Sequence, residues 1–267
     1  MHPRVSVSAI SSFRLRFDEC LSLWQRHGIA NVGLAFRQMD DHLAEAARTR
    51  DAGLRVSSVL LPGAPLWDRT TWAERRDTML LGYEVAAITG ASTVAIVTGS
   101  AGAMSWEDAA DAFAELIEPV LAQAPTDRVP LVVEHTHALR ADIGFLHSLR
   151  DTVDLAQQLG IGALVEVNAC WTERELAATF TRGVVGATIG LVQVSDYVIG
   201  TTCTPDRAVP GDGDLPLARL LGQLEHAGYE GWYEIELVGP RIEDEGYDTA
   251  IPRAVSAVEQ LLEQVSR

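Results

Sequence analysis

The sequence predicts a single (β/α)₈ barrel, an α/β fold, and three observations support this prediction. Short β-branched runs alternate with longer segments of helical spacing along the whole chain. Several runs, such as those at 94–97 and 162–165, are almost entirely apolar, which is typical of parallel strands covered on both faces. The chain has 267 residues, and one α/β barrel typically needs ~250. We therefore expect residues 1–267 to form one domain without an internal linker.

Eight segments have the composition of strands, and amphipathic segments separate them. The predicted strands are Val5–Ile10, Asn31–Ala35, Arg55–Leu60, Thr93–Thr98, Leu131–Glu134, Ala163–Val167, Ala187–Val194 and Trp232–Leu237. The clearest helices are predicted at Phe17–His27, Trp106–Ala122 with Ser105 as N-cap, Arg219–His226 and Ile251–Val265. An open doubly wound sheet is the alternative, but no G-x-G-x-x-G turn follows the first strand.

Composition excludes several classes of function. All 21 basic residues are arginine, which excludes enzymes that need a lysine amine: Schiff-base aldolases, lysine-anchored pyridoxal phosphate enzymes and P-loop nucleotidases. A net charge of −16 argues against nucleic-acid binding. The three cysteines form no C-x-x-C pair, and no apolar run approaches the ~18 residues of a membrane span. These features predict a cytoplasmic protein without a membrane partner.

Acidic and amide residues follow the predicted strands of the second half of the chain. Because the reacting groups of α/β barrels lie at the carboxyl ends of the strands, these residues are the candidate site. Buried acids of this kind are unfavourable unless a positive group lies among them, and a divalent cation would provide it. The candidate residues are Glu134 after strand five, Glu166 and Asn168 after strand six, Gln193 and Asp196 after strand seven, and Glu236 after strand eight.

Motifs at these strand ends resemble the sugar phosphate isomerase/epimerase family, the xylose isomerase-like barrels. The resemblance covers nearly the whole chain and is densest from Leu131 to Leu237. It includes Glu134-x-x-His137, the Trp171 of the strand-six motif, Gln193-x-x-Asp196, the loop Arg207-x-x-Pro210-Gly211-x-Gly213, and Gly228-Tyr229-x-Gly231 before Glu236. Each motif alone is weak, but their order along the chain is specific for the fold and family.

The resemblance implies a metal-dependent transfer of a proton next to a carbonyl of a sugar, keto sugar or related polyol. It implies Glu134, Glu166, Gln193 and Glu236 as metal ligands, with Glu134 and Glu236 also acting as the catalytic acid and base. These all-oxygen ligands favour Mn²⁺ or Mg²⁺ over Zn²⁺. We expect His137, Arg207 and Trp171 to contact substrate, and Asp196 to orient a neighbouring group. The resemblance also allows a homo-oligomer.

The strand-six motif departs from the family pattern. Glu166 stands where the family has Asp, so Asn168 is an alternative metal ligand, and Ala169 replaces a substrate-binding His. Trp171, with Trp67, Trp72 and Trp106, would give the mouth an apolar wall for a bulkier substrate. A lyase that eliminates a β-substituent is therefore an alternative function. Two further alternatives are a ligand-binding barrel without turnover and, least favoured, a DNA-repair endonuclease, which would need more histidines.

Overall fold

Eight parallel strands close into a barrel in the computed structural model, which describes residues 1–265. Each strand pairs with the next along the chain, and β1 also pairs with β8. The strands are β1 (Val5–Ser8), β2 (Asn31–Ala35), β3 (Arg55–Leu61), β4 (Thr93–Val97), β5 (Leu131–Glu134), β6 (Gly162–Glu166), β7 (Ile189–Val194) and β8 (Tyr233–Ile235). The predicted (β/α)₈ fold is confirmed.

Helices cover the outside of the barrel between successive strands. They are α1 (Phe17–Arg26), α2 (His42–Asp51), α3 (Trp72–Thr89), α4 (Trp106–Leu121), α5 (Leu149–Leu159), α6 (Val167–Cys170), α7 (Leu176–Val185), α8 (Leu217–His226), α9 (Pro240–Glu245) and α10 (Tyr247–Val265). The Ser105 hydroxyl accepts the backbone N–H of Asp108 and caps α4 as expected. Within residues 1–265, the helices lack the combination of length and apolarity needed to cross a bilayer.

The sequence pattern predicts longer strands than the structure has at β1, β4, β7 and β8, and it places β6 one residue too late. Local backbone geometry explains the bounds of β6 and β7. β6 ends at Glu166 because the Glu166 carboxylate accepts the backbone N–H of Asn168 and starts the short helix α6. β7 begins at Ile189, after Ala187 has adopted a left-handed conformation with φ of 51°. β8 covers only Tyr233–Ile235, which leaves Glu236 just beyond the strand.

An apolar layer fills the barrel interior directly below the strand ends. Ala95, Val132, Leu164 and Leu191 pack together there with no exposed surface. Because side chains alternate along a strand, Val132, Leu164 and Leu191 point inward like Glu134, Glu166 and Gln193, which follow two residues later. The layer therefore supports the candidate site from below and places it at the mouth of the barrel.

Shortening Leu191 should destabilise the whole barrel. Leu191→Ala leaves a cavity in a fully buried layer, and such substitutions lower the free energy of unfolding by about 2–5 kcal/mol. Val185→Ala on α7, where the side chain is 77% exposed, is the matched control and should change stability by less than about 0.5 kcal/mol. Urea unfolding followed by circular dichroism measures both. Equal effects of the two substitutions would contradict the packing described for this layer.

Candidate functional site

Three glutamates from three strand ends meet at the mouth of the barrel. Carboxylate oxygens of Glu134, Glu166 and Glu236 all lie within 4.8 Å of one another. The three residues are buried, with relative exposures of 7%, 2% and 5%. They come from β5, β6 and the end of β8, so barrel closure brings together residues that are distant in the sequence. The cluster contains three of the four metal ligands implied by the sequence.

Arg207 bridges two of these carboxylates. Its Nη1 donates to Glu166 Oε2 at 2.6 Å and to the Ser195 hydroxyl at 3.0 Å, and its Nη2 lies 3.2 Å from Glu236 Oε2. The arginine side chain is 13% exposed, so this ion pair is largely shielded from water. Arg207 therefore lies at the carboxyl end of the barrel strands and leaves Glu134 outside the ion pair.

Asp196 holds the loop that carries Arg207. The Asp196 carboxylate accepts three backbone N–H groups, from Tyr197 at 2.8 Å, Gly211 at 2.9 Å and Leu215 at 3.0 Å. The backbone of Asp196 also pairs with Ala208 in both directions, next to Arg207. Asp196 thus organises this loop, which is the orienting role expected from the sequence.

Burial and mutual repulsion shape the electrostatics of the cluster. Burial raises the pKa of Glu134 well above its ordinary value, and the neighbouring carboxylates of Glu236 and Glu166 raise it further. Burial likewise raises the pKa of Glu236 to about 8, although Arg207 opposes this effect. Burial alone would lower the pKa of Arg207, but Glu166 and Glu236 outweigh it and raise that pKa. The guanidinium is therefore charged, and Glu134 and Glu236 bind protons more readily than exposed carboxyl groups.

The donor set fits a divalent cation. When all three carboxylates are ionised, they and the one guanidinium leave two negative charges in a buried site, and a divalent cation would balance them. Gln193 adds a neutral oxygen: its Nε2 donates to Glu234 and Glu236 at 3.3 Å each, and its buried Oε1 has no hydrogen-bond partner among residues 1–265. These oxygen donors are the type that hard cations such as Mg²⁺ and Mn²⁺ prefer.

Glu166 is the most engaged of the three carboxylates. Its Oε1 accepts the Asn168 N–H at 3.0 Å, and its Oε2 accepts from Arg207 at 2.6 Å. The Asn168 side-chain amide donates to the Asp196 carbonyl at 3.4 Å. Both oxygens of Glu166 thus already have protein donors, whereas Glu134 lies outside the Arg207 ion pair. Glu166 as a metal ligand, with Asn168 as the alternative, stays a prediction.

Two histidines follow β5 and have different environments. His137 borders a small recess beside Arg207, together with Asn168 and Tyr197, and its Nδ1 accepts the Leu139 N–H at 3.2 Å. This position is compatible with the predicted substrate contact. His135 is completely buried, and its Nε2 accepts the Glu166 N–H at 3.1 Å. Burial lowers the pKa of His135 to about 3, so it is a neutral structural residue that holds β6.

A cavity of about 690 Å³ opens above Glu134, Glu236 and Arg207. Its wall is largely apolar, but it is aliphatic rather than formed by the tryptophans that the sequence indicated. Trp72 is buried in α3, and Trp171 packs half-buried against the core, outside the set of residues within 1–265 that line the cavity. The structure therefore gives no support to the predicted substrate contact of Trp171. The apolar lining residues are Ile10, Phe13, Ala35, Leu60, Leu61, Pro62, Val97, Ile143, Pro205 and Val238.

Glu234, to which the sequence pattern assigned no role, lies in β8 two residues before Glu236. Its side chain is fully buried, and its carboxylate accepts the hydroxyls of Ser57 and Ser58 at 2.6 Å each. The signal available in the sequence was the alternation Glu234-x-Glu236, which places both acids on the inner face of the barrel.

Removing the Arg207 charge should destabilise the site. Arg207→Met leaves Glu166 and Glu236 without their guanidinium, and loss of one partner from a buried ion pair costs about 3–5 kcal/mol. The control Arg182→Met breaks an exposed pair with Asp154, worth about 0–1 kcal/mol. Thermal unfolding compares the two, and added Mn²⁺ should stabilise Arg207→Met more than the unmodified protein. Equal losses in both variants would argue against the charge balance described above.

The pKa of Glu236 predicts how stability depends on pH when divalent cations are chelated. The folded-state pKa is about 8, above the ~4.3 of an exposed glutamate, so the folded state holds more protons between these values. The free energy of unfolding should therefore fall as pH rises from about 5 to about 8. Urea unfolding in EDTA measures this slope, and Glu236→Gln should flatten it. A slope that is the same in the variant would show that Glu236 does not carry the effect.

Comparison with known proteins gives the family. A family model described as xylose isomerase-like TIM barrel matches residues 17–259. No curated protein matches the sequence. Among solved structures, protein SMc04130 from Sinorhizobium meliloti 1021 is 24% identical with a TM-score of 0.86, covering 97% of this chain and 98% of its own.

Two further structures share the fold at lower identity. The IOLI protein, solved with a zinc atom, is 14% identical with a TM-score of 0.80, over 98% of this chain and 99% of that one. D-allulose 3-epimerase from Methylomonas sp. is 13% identical with a TM-score of 0.76, over 97% of both chains. Identities this low show the common fold alone. The family model, however, spans most of the chain, and this protein therefore belongs to the xylose isomerase-like TIM barrel family.

Proposed function

We propose that this protein is a divalent-metal-dependent isomerase or epimerase that moves a proton next to a carbonyl of a sugar, keto sugar or related polyol. The observation that carries the proposal is the carboxylate cluster of Glu134, Glu166 and Glu236, of which Glu134 and Glu236 line an open cavity. The fold shared with D-allulose 3-epimerase supports the substrate class, and the zinc atom in the IOLI protein supports a divalent cation. We expect Mn²⁺ or Mg²⁺, because the donors are oxygens.

Glu134, Glu166, Gln193 and Glu236 would hold the cation. When bound, a divalent cation supplies Lewis-acid polarisation of a carbonyl and stabilises developing negative charge. Glu134 and Glu236 would remove a proton from the carbon next to the carbonyl and return one. Burial raises the pKa of both carboxyl groups in the metal-free site, and a bound cation would favour their ionised forms, which can accept a proton.

Arg207 and His137 would orient the substrate. The Arg207 guanidinium already faces the cavity beside Glu236, where it can donate to a hydroxyl or carbonyl oxygen. His137 lies in the adjoining recess, and burial lowers the pKa of its imidazole, so the neutral form prevails near neutral pH. A cavity of about 690 Å³ is within the usual range for small-molecule sites and exceeds the need of a single sugar ring.

The apolar wall favours a second candidate, a lyase that works through the same first step. After removal of a proton next to a keto group, loss of a β-substituent would complete an elimination. Aliphatic residues such as Leu60, Val97 and Ile143 would accommodate an apolar leaving group better than a free sugar. Isomerisation conserves the substrate mass, whereas elimination releases water or an aglycone, so product analysis separates the two.

Solvent-proton exchange tests the proposed chemistry directly. The protein loaded with Mn²⁺ should catalyse incorporation of deuterium from D₂O into the carbon next to the carbonyl of keto sugars, as followed by NMR. Glu134→Gln should slow the exchange about 100-fold or more, because it removes a proton-transfer group. EDTA should abolish exchange, and Mn²⁺ should restore it.

A matched control uses another partly buried glutamate. Glu225→Gln changes a carboxylate that pairs with Arg4 and Tyr233, away from the carboxylate cluster, and should leave exchange unchanged. Exchange that persists fully in Glu134→Gln would remove this residue from the acid–base pair. Elemental analysis without any bound divalent ion, even after Mn²⁺ addition, would overturn the metal-dependent proposal and favour a barrel that binds ligand without turnover.

A further inference from the structure

Glu234 is a buried acid that the proposed mechanism does not use. It is fully buried in β8 and lies outside the cluster of Glu134, Glu166 and Glu236. The Ser57 and Ser58 hydroxyls donate to its Oε2, and the Gln193 side-chain amide donates to its Oε1. Three donors surround the carboxylate, which suits an ionised acceptor. Burying a carboxylate is energetically unfavourable, so the position of Glu234 requires an explanation.

An irregularity in β3 supplies two of these donors. Adjacent side chains on a regular strand point to opposite faces, so Ser57 and Ser58 would not normally reach the same carboxylate. Val32 of β2 pairs with Val56, but Gly33 pairs with Ser58, so Ser57 is an extra residue in the pairing. Bulges of this type redirect side chains and are common next to active sites. Here the irregularity places both hydroxyls 2.6 Å from Glu234 Oε2.

Gly33 provides the space for the Glu234 carboxylate. A Cβ atom at position 33 would lie 2.3 Å from Glu234 Oε2 and 2.8 Å from the Ser58 hydroxyl. Both contacts are too short for real atoms, so any larger residue would displace the carboxylate. Three neighbouring features, the bulge, the serine pair and the glycine, thus fit one buried group.

The Glu234 carboxylate in turn determines how the Gln193 amide is oriented. Gln193 Nε2 lies 3.3 Å from Glu234 Oε1 and 3.3 Å from Glu236 Oε1. With both carboxylates ionised, rotation of the amide by half a turn would place Gln193 Oε1 against two carboxylate oxygens, where neither atom can donate. The nitrogen must face the two glutamates, and the oxygen is left as the buried atom without a partner among residues 1–265.

We propose that Glu234 is a positioning residue that fixes the Gln193 side chain so that its Oε1 serves as a neutral oxygen ligand to a divalent cation. The part concerning the cation rests on the proposed function, whereas the orientation of Gln193 does not. Without the Glu234 carboxylate in place, the Gln193 amide keeps only its hydrogen bond to Glu236, which is one of the two bonds that select its orientation.

NMR of the Gln193 side-chain amide tests the orientation without any metal. Its NH₂ signals are assigned by their loss in Gln193→Met. In the unmodified protein, an amide held by two buried carboxylates should exchange slowly with solvent. In Glu234→Gln, the new amide can donate as well as accept, so the Gln193 signals should double or exchange at least about tenfold faster. Unchanged Gln193 signals in a folded Glu234→Gln variant would overturn the proposal.

Titration calorimetry with Mn²⁺ tests the consequence for the cation. Loss of a group that orients a metal ligand typically weakens binding about 10–100-fold, and we expect this change in Glu234→Gln. Gly33→Ala should weaken Mn²⁺ binding in the same direction, because its Cβ displaces the carboxylate without altering a polar group. It provides a second test if Glu234→Gln fails to fold. Glu225→Gln is the control and should bind Mn²⁺ like the unmodified protein while losing stability.

The two measurements distinguish failure of this proposal from failure of the proposed function. Normal Mn²⁺ affinity in folded Glu234→Gln and Gly33→Ala variants would overturn the role of Glu234 toward the cation. If the unmodified protein binds no Mn²⁺ but Gln193 responds to Glu234→Gln as expected, the metal-dependent function is overturned and the positioning of Gln193 by Glu234 is supported.

Discussion

The ion pairs of Arg207 with Glu166 and Glu236 join a loop to two strand ends and connect most features of the barrel mouth. Closing the barrel forces acids from separate strands into one buried volume, where their repulsion must be balanced. Arg207 balances part of it, and the loop that carries it is held in turn by the Asp196 carboxylate. The remaining negative charge makes the site attractive to a cation, and raises the affinity of Glu134 for protons.

The sequence was sufficient to predict the fold, because strand-like apolar runs alternate clearly with segments of helical spacing and the chain length fits one barrel. The sequence could not give the strand ends, which depend on single residues. Val167 looks like part of a strand in the sequence, but the Glu166 carboxylate caps the next helix and ends β6 before it. Ala187 is an ordinary strand residue by composition, yet its left-handed backbone conformation delays the start of β7.

The sequence predicts those parts of the candidate site that depend on the order of the strands along the chain. It does not predict the parts that depend on the register in which neighbouring strands pair. Glu134, Gln193 and Glu236 lie at or next to the carboxyl ends of strands, and barrel topology alone places such residues at one end. The support of Gln193 by Glu234 depends on an extra residue in β3, which changes the pairing of two strands and leaves no pattern in the sequence. The sequence also does not reveal which aliphatic residues line the cavity, because the same residue types form the hydrophobic core.

The floor and the wall of the cavity come from different halves of the chain. The acidic cluster is built by residues 134–236, whereas most of the apolar wall comes from the ends of the first four strands and the residues just after them, from Ile10 to Val97. The acids of the proposed reaction and the wall that would fit the substrate thus come from separate stretches of sequence. Substitutions in the first hundred residues can reshape what the cavity admits while the acids that face it keep their geometry, so the same chemical apparatus can be adapted to new molecules through one half of the barrel.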